Sequence, residues 1–348
     1  MLTMKEAIIS KGPLVHIVDS PIPTLQPDQV LIKVVVSGTN PKDWKLPEWT
    51  GKSGNQGDDI AGTVAAVGEN VTEFKPGDRV AAFHQTNQPG AAYAEYAVSW
   101  QHTTFHIPKS TTFEGKPPPP LLPWFLVSTL ALYHHLGLPH TWEPATSRIP
   151  LIIYGGATAI GSFAIKLARK SNIHPIITVA GRGIAYVENL LDSSKGDAVI
   201  DYRQGDEAVV SGIHNALKLS GNGDATVLHA YDAVSDGSSF LNLGKVVSPG
   251  GKIVLVLPGR DLSSLPDSIE TVRSSVGIVH GDHQDLGYIY YRLLSRGLLE
   301  GWFTPHPHEV VPGGLDGLQT ALTNLKEGKA SALKYVVRIG ETEGVEDC

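Results

Sequence analysis

The sequence is poor in cysteine, in runs of like charge and in long apolar stretches, and each absence excludes a class of protein. Its one cysteine, Cys348, cannot form an internal disulfide or a multi-thiolate zinc site, which favours a reducing, cytoplasmic setting. No apolar run reaches the roughly 20 residues of a membrane span, and the N-terminus lacks an apolar signal core. The net charge is −7, with no long run of one sign, so we expect no nucleic-acid partner.

The rest of the composition is that of an ordinary globular protein, and 348 residues suffice for about two domains. Residues 1–125 contain short apolar runs separated by glycine turns, such as QVLIKVVVSG and KPGDRVAAF. This pattern predicts a small β-rich domain. Four consecutive prolines at 117–120 cannot continue a helix or a central strand, so we place a domain boundary beside them.

Residues 126–280 have a different pattern, in which buried strands alternate with helices. LVSTLALYHHLGL has helical spacing; the strand IPLIIYGG then precedes the helix AIGSFAIKLARKS, and HPIITVAG precedes AYVENLLDSSKG. Strand and helix repeated in this way predict an α/β fold with a doubly wound parallel sheet of the Rossmann type. Residues 281–348 contain two further helical patterns and a final strand, LKYVVRIG.

The first strand of the alternation leads into YGGATAIG, a glycine-rich turn that opens a helix. Gly156, Thr158 and Gly161 stand at the positions of G-x-G-x-x-G, so threonine replaces the middle glycine of a dinucleotide fingerprint. We expect the Thr158 hydroxyl to donate to a phosphate oxygen, and free N–H groups at the helix start to complete the anion site. A glycine turn needed only for packing is the alternative.

The end of the second strand indicates which dinucleotide binds. An acidic residue there would bind a ribose 2′-hydroxyl, but TVAGRG contains none. Arg182 stands where a 2′-phosphate would lie, and arginine matches phosphate geometry, so we predict NADP(H). A solvated surface arginine is the alternative. Tyr202, after the third strand, could contribute a hydroxyl or a stacking face near the adenine ribose, or could be structural.

The block GDDIAGTVAAVGENVTEFKPGDRVAAF, followed by AAYAEYAV and a Rossmann unit, resembles the medium-chain dehydrogenase/reductase superfamily. The resemblance covers nearly the whole chain and implies a GroES-like catalytic domain to which residues 281–348 return. Zinc-dependent members carry a cysteine where this chain has Asn40, and Gly-His-Glu where it has Gly57, Asp58 and Asp59. Because these ligands are replaced, we predict no metal.

Two histidine pairs are the remaining candidates for metal ligands. His134 and His135 are adjacent, so on a helix they should point in different directions. His306 and His308 are two residues apart beside prolines, and we interpret them as exposed loop residues. Neither pair changes the prediction that the protein has no metal.

Within the superfamily, NPKDWK, YGGATAIG and the C-terminal tail are most similar to fungal zinc-independent reductases. That group includes trans-acting enoyl reductases that serve polyketide synthases. The resemblance implies hydride transfer from NADPH to the activated double bond of an enoyl thioester or enone. A quinone or small carbonyl reductase, or a non-catalytic cofactor-binding protein, are the alternatives. We expect a small or carrier-bound enoyl substrate, a monomer or homodimer, and no membrane partner.

The resemblance also implies site residues. Lys45 would orient the cofactor, stabilise an enolate or relay a proton; Asn40 would bind cofactor or substrate; and Tyr133 would reach the substrate carbonyl, with a core role as the alternative. Asp43 could instead be a capping residue. Together with the glycine turn and the strand ends, the predicted cofactor-binding set is Asp43, Thr129, Gly156, Ala157, Thr158, Ala159, Ile160, Ala180, Gly181, Arg182, Tyr202, Leu257, Pro258, Ala330 and Ser331.

Overall fold

The structure is a computed structural model that describes residues 2–109, 122–222 and 226–345. The proline run at 117–120 and Cys348 lie outside these residues. The chain forms two compact units: unit 1 comprises residues 1–123 and 277–348, and unit 2 comprises residues 124–276. Among the described residues, no helix has both the length and the apolar character required to cross a membrane.

Unit 1 begins with a β-rich segment. Its elements within residues 2–109 are β1 (Thr3–Ser10), β2 (Leu14–Pro21), β3 (Gln29–Gly38), α1 (Pro41–Thr50), β4 (Asp59–Val67), β5 (Arg79–Phe83), β6 (Tyr96–Trp100) and β7 (Thr104–His106). β1 and β2 pair in an antiparallel two-stranded sheet. α1 begins with Pro41, whose missing N–H costs nothing in a first turn. Gly51, with a φ of 69°, ends it in the left-handed conformation.

Unit 2 is built around a six-stranded, all-parallel sheet. Its elements are α2 (Leu122–Thr129), β8 (Leu151–Tyr154), α3 (Ala159–Lys170), β9 (Ile176–Ala180), α4 (Ile184–Glu188), β10 (Ala198–Asp201), α5 (Asp206–Leu217), β11 (His229–Asp232), α6 (Ser239–Gly244), β12 (Lys252–Leu255) and β13 (Glu270–Arg273). The strand order is β10-β9-β8-β11-β12-β13, which confirms the predicted doubly wound sheet. The order reverses at β8, and ligands of such sheets bind at this switch point.

The last part of unit 1 supplies α7 (Gln284–Glu300), β14 (His308–Val310), α8 (Gly317–Lys326) and β15 (Lys334–Arg338). β15 pairs antiparallel with β3, so the C-terminal strand joins the sheet of the N-terminal segment in the order β14-β15-β3-β4-β5-β7, with β6 also paired to β3. The core draws on both segments: Ile32, Ile60 and Val80 pack in one cluster with Leu318 and Val337.

One histidine prediction, the exposure of His306, is wrong, and the pair His134 and His135 lies on a π-helix rather than an α-helix. α2 continues as a π-helix over Leu130–His135, and the ring centroids of His134 and His135 lie only 4.8 Å apart in edge contact. A π-helical turn is wider than an α-turn, which changes the directions of neighbouring side chains. His306 is buried, at 2% exposure, although a loop flanked by prolines was expected to leave it exposed.

The predicted helix AYVENLLDSSKG is also too long. α4 ends at Glu188, and a separate 3-10 turn covers Ser193–Lys195. Asp192 caps this turn by accepting the N–H of Ser194, and Gly196 closes it in the left-handed conformation. The local capping groups therefore stop the helix where the apolar spacing alone would continue it.

Candidate active site

The glycine turn connects the carboxyl end of β8 to α3. Gly155 has a φ of 89°, which glycine adopts without strain. A Cβ on Gly156 would come 2.2 Å from Oγ1 of Thr178 on β9, and a Cβ on Gly161 would come 2.2 Å from the carbonyl oxygen of Gly155. The turn therefore has the close strand and helix approaches that a dinucleotide fingerprint requires.

Thr158 is the N-cap of α3. Its Oγ1 accepts the N–H of Gly161 at 2.9 Å and donates to the carbonyl oxygen of Gly155 at 2.8 Å. This hydroxyl already serves the turn, and its predicted donation to a phosphate stays a prediction. The N–H groups of Ala159 and Ile160 have no acceptor inside the helix. An anion at this turn would therefore be bound by the backbone N–H groups of Ala159 and Ile160, together with that of Ala157 in the turn before them.

The carboxyl ends of β9 and β10 meet, because Ala180 and Asp201 are register partners. The ring of Tyr202 lies against Gly181, where an added Cβ would come 2.5 Å from Cε1 of the tyrosine. Tyr202 is half exposed, and Arg182, next to Gly181, is exposed. An aromatic face and a guanidinium group thus follow the ends of two adjacent strands.

One acidic residue at this edge of the sheet was not predicted. Asp201 receives a bidentate contact from Arg203, with Nε 2.9 Å from Oδ1 and Nη2 2.6 Å from Oδ2. These hydrogen bonds lower the pKa of Asp201 and keep it ionised. Because Arg203 balances its charge, Asp201 contributes little net negative charge to this edge of the sheet. The spacing Asp-Tyr-Arg in IDYRQ is the signal that could have revealed the pair.

Ser128 joins α2 to the start of α3, because its Oγ lies 2.8 Å from the carbonyl oxygen of Ile160. Thr129 is buried, and its hydroxyl donates to the carbonyl oxygen of Leu126 at 2.9 Å. The structure therefore places the predicted residue Thr129 inside unit 2, one position from a residue that touches the glycine-turn helix.

Tyr133 lies further along the same helix. Its hydroxyl is 3.0 Å from Oγ of Ser171, the C-cap of α3, and 3.4 Å from the carbonyl oxygen of Leu167. This is the end of α3 remote from the glycine turn, and a 12-residue helix spans about 18 Å. These contacts favour the alternative core role for Tyr133, whose pKa is raised by burial, and its reach to a substrate carbonyl stays a prediction.

Ser235 fixes the ends of β11 and β12, and it was not predicted from the sequence. Its Oγ accepts the N–H of Val256 at 2.8 Å, and its own N–H donates to Oδ1 of Asp232 at 2.7 Å. Asp232 is fully buried, and burial raises its pKa. Ser235, which follows β11, therefore fixes the backbone at Val256, just before the predicted residues Leu257 and Pro258. Pro258 itself is exposed.

Unit 1 contains a buried polar network where β3, β4, α1 and β15 meet. In its first half, Nζ of Lys334 donates to Oδ1 of Asn40 at 2.7 Å and to the carbonyl oxygen of Thr39 at 3.0 Å, and lies 2.9 Å from Oδ2 of Asp59. Nδ2 of Asn40 donates to Oδ1 of Asp59 at 2.9 Å. The three side chains therefore form a closed ring, and Asn40 uses both its amide groups within unit 1.

In the second half, Lys42 bridges two carboxylates, 2.8 Å from Asp43 and 2.9 Å from Asp58. Asp43 also accepts the backbone N–H of Asn40 at 2.7 Å and the hydroxyl of Tyr93 at 2.5 Å. The contact with the Asn40 N–H makes Asp43 a capping residue of α1, which was the alternative to its cofactor-binding role. Its place in the cofactor-binding set stays a prediction.

The ionisation of the network follows from burial and pairing. Burial raises the pKa of Asp59 to about 6, although the Lys334 ammonium acts in the opposite direction. Burial also raises the pKa of Asp43. Burial alone would lower the pKa of Lys42, but Asp43 and Asp58 outweigh it and the pKa rises. Both lysines thus supply the positive charge that these carboxylates need in a dry site.

Lys45 is placed differently from its neighbour Lys42. Its Nζ lies 5.6 Å from the ring centroid of Trp44 and 5.9 Å from that of Trp49, within range of cation–π attraction. Within the described residues, Lys45 forms no ion pair with an aspartate or glutamate. Of the two lysines in NPKDWK, Lys42 is paired with two carboxylates, whereas Lys45 is not paired with a carboxylate within the described residues.

The remaining predicted residues lie between α8 and β15. Ala330 packs partly against the core of unit 1, and Ser331 is exposed. Ala332, which follows, has a φ of 50°, an uncommon conformation for a residue other than glycine. In the described parts of the chain, no group of three or more histidines, cysteines, aspartates or glutamates is arranged to hold a metal ion.

Comparisons with known proteins agree with this architecture. The family model of the alcohol dehydrogenase GroES-like domain matches residues 26–109. Trans-enoyl reductase fsr4 of Gibberella fujikuroi is 47% identical over 90% of this chain and 93% of its own length. Trans-enoyl reductase resD of Aspergillus sclerotiorum is 32% identical over 96% of this chain and the whole of its own. The crystal structure of an alcohol dehydrogenase superfamily protein from Novosphingobium aromaticivorans superposes with a TM-score of 0.77 at 19% identity, over 97% of this chain and 99% of that one.

The GroES-like match and the parallel-sheet unit define an oxidoreductase of the medium-chain dehydrogenase/reductase type. The sequence identities of 47% and 32% to the two fungal enzymes place the chain within one group of this class. The chain belongs to the trans-enoyl reductases of fungal secondary metabolism. The family predicted from NPKDWK, YGGATAIG and the C-terminal tail is thereby confirmed.

Proposed function

We propose that this reductase uses NADPH, without a bound metal, to reduce the activated carbon–carbon double bond of an enoyl thioester. The family membership supports this class of reaction, since two trans-enoyl reductases match nearly the whole chain. The proposed substrate is attached to the carrier of a polyketide synthase, which would be the partner, and the proposed compartment is the cytoplasm.

The observation that carries the metal-free chemistry is the buried network of unit 1. Asn40, Asp58 and Asp59 stand where zinc-dependent members of the superfamily carry ligands. Here the carboxylates are already paired with ammonium groups, at 2.9 Å from Lys42 to Asp58 and 2.9 Å from Lys334 to Asp59. A divalent cation would have to displace both lysines, which would leave charges unpaired beside the buried carboxylates of Asp58 and Asp59 at a high cost.

The preference for NADPH is supported by the edge of the sheet in unit 2. The glycine turn is shaped to take a pyrophosphate on backbone N–H groups. The proposed contacts of the adenosine end are Arg182 to the 2′-phosphate and Tyr202 to the ribose, with the ring of Tyr202 held against Gly181. Asp201 would not oppose the phosphate, because Arg203 neutralises it.

Reduction of the enoyl group needs a donor for its carbonyl oxygen and a proton for its α-carbon. When bound, NADPH supplies a hydride to the β-carbon, and negative charge then develops on the thioester oxygen. Lys45 is the proposed donor, because it is a cation on α1 that is not neutralised by a carboxylate within the described residues. A hydrogen bond aimed at developing charge is the strongest contribution that such a site can make.

Steady-state NADPH oxidation with three substrates tests the proposal. Crotonyl pantetheine should be reduced, whereas a benzoquinone and a simple ketone should be reduced at least about tenfold more slowly at equal concentration. NADH should support the reaction poorly, and dialysis against a chelator should leave the rate unchanged. Preferential reduction of the quinone or ketone would favour the rival reductase, and NADPH binding without turnover of any substrate would favour a non-catalytic protein.

A further inference from the structure

The geometry points to Lys334 as a positioning residue: its buried ammonium group, paired with Asp59, holds Asn40 and thereby the start of the helix that carries Lys45. For its kinetic readout this inference rests on the proposed function. The contacts themselves lie entirely within unit 1 and join the last strand of its sheet to residues nearly 300 positions earlier, 294 for the contact with Asn40.

The ammonium group of Lys334 is fully engaged. It is 5% exposed, donates hydrogen bonds to Thr39 and Asn40, and forms an ion pair with Asp59 at 2.9 Å. Because one contact is to a backbone carbonyl and one to a side-chain amide, Lys334 fixes both the chain path after β3 and the orientation of the Asn40 carboxamide.

Asn40 passes this constraint to α1. It is the N-cap of the helix, and its backbone N–H donates to Asp43 in the first turn. The preceding residue is also tied to β15: the N–H of Thr39 donates to the carbonyl oxygen of Tyr335 at 3.0 Å and its hydroxyl does so at 2.9 Å. β15 therefore sets where α1 begins, and Lys45 follows about one and a half turns later.

Stability alone is a poor reason for burying these charges. Replacing a buried ion pair by apolar side chains is often neutral or stabilising, because both ions lose their hydration. What the pair supplies here is a fixed orientation for Asn40, since the amide must present its oxygen to Lys334 and its nitrogen to Asp59. Such over-determined geometry is what a site needs to hold a donor in place.

Two variants separate positioning from folding. Lys334→Met leaves the Asp59 carboxylate without its counterion and should lower the melting temperature. The double variant Asp59→Asn, Lys334→Met contains no unpaired buried charge at this position and should recover most of that loss. Lys5→Met is the matched control, because Lys5 forms a lysine–aspartate pair of the same 2.9 Å length with Asp19 at the surface.

Hydrogen exchange of the 39–45 segment and steady-state kinetics are then measured on each protein. In the double variant we expect exchange of this segment to rise by about tenfold, with the glycine turn of unit 2 unchanged. We expect kcat to fall by at least about tenfold, with the NADPH dissociation constant within about twofold. The Lys5→Met control should match the wild type in both.

Wild-type exchange of this segment in the double variant, or a kcat that recovers together with the melting temperature, would overturn the positioning role. If the wild type fails to reduce crotonyl pantetheine, the proposed function fails. The exchange data still decide the inference in that case, because faster exchange confined to the segment supports it and unchanged exchange rejects it.

Discussion

The ring of Tyr202 lies against Gly181 so closely that a Cβ on the glycine would come 2.5 Å from Cε1 of the tyrosine. Gly181→Ala should therefore displace the ring and raise the NADPH dissociation constant by about tenfold, the equivalent of about 1.4 kcal/mol. A fluorescence titration with NADPH measures the change.

Gly54→Ala is the control for this substitution. The nearest atom to an added Cβ there is Nε2 of Gln56 at 3.8 Å, an ordinary contact. In the double variant Gly181→Ala, Tyr202→Ala, the added Cβ no longer meets the tyrosine ring, so the clash that displaces the ring is absent. If Gly181→Ala binds NADPH as tightly as the wild type, the contact between these two residues does not shape the cofactor site.

Arg182→Ala tests the choice between the two dinucleotides. Loss of a charge-assisted contact to the 2′-phosphate should weaken NADPH binding by about thirtyfold, about 2 kcal/mol, and leave NADH binding nearly unchanged. Dissociation constants for both cofactors provide the measurement. Arg296→Ala, which removes an exposed arginine from α7, is the control. An equal loss of affinity for both cofactors would contradict the assignment of Arg182 to the phosphate.

Lys45→Ala should affect turnover far more than cofactor binding. Removal of one donor from a developing oxyanion typically lowers kcat by about a hundredfold or more. The NADPH dissociation constant should change by less than about threefold, since the glycine turn belongs to unit 2. Lys52→Ala, at an exposed position just after α1, should keep wild-type kinetics. Wild-type kcat in Lys45→Ala would remove this lysine from the mechanism.

Tyr133→Phe should leave catalysis intact and lower stability slightly. The hydroxyl contacts Ser171 and Leu167 rather than the glycine turn, and its loss should reduce the free energy of unfolding by about 1 kcal/mol. Chemical denaturation and steady-state kinetics measure the two effects. A large fall in kcat with little change in stability would support Tyr133 as a catalytic candidate.

The pH dependence of stability should reveal a pair of neutral histidines in unit 1. Burial, with smaller contributions from His102 and His84, lowers the pKa of His280 from 6.5 to about 3, and burial lowers that of His102 to about 4. Between about pH 6.5 and the folded-state pKa, the unfolded chain binds protons that the folded chain does not, so stability falls as the pH decreases.

His280→Phe removes one of these groups. At pH 5 the wild-type penalty from His280 is about 2 kcal/mol relative to pH 7, and the variant should lose that much less stability over the same interval. Urea unfolding at both pH values provides the comparison. An unchanged slope in His280→Phe would mean that this imidazole is protonated in the folded state.

The parallel sheet and its glycine turn were predictable because their signals are local. β8, the turn and α3 occupy 20 consecutive residues, 151–170, and apolar spacing sets both elements. α1 was not predicted, since Pro47 lies inside it and proline normally ends a helical pattern. The β1–β2 hairpin was also missed. Its second strand is largely exposed and so lacks the buried alternation that identifies a strand.

The candidate site was predictable only where one short motif contains it. Arg182 and Tyr202 follow strands with clear patterns, and Asn40 and Lys45 belong to NPKDWK. The role of Lys334 has no local signal, because its partners are nearly 300 residues away and only the pairing of β15 with β3 brings them together. For Tyr133, helical spacing indicates that the residue is buried without showing which neighbour its hydroxyl reaches.

The proposed reaction is metal-independent hydride transfer from NADPH to the β-carbon of an enoyl thioester. The most direct measurement uses chelator-treated protein, NADPH deuterated at the transferable position and crotonyl pantetheine, with mass-spectrometric analysis of the product. We expect a butyryl product that carries one deuterium at the β-carbon, formed at the same rate as without chelator treatment. Deuterium at the carbonyl carbon, or activity that disappears with the chelator and returns with zinc, would contradict it.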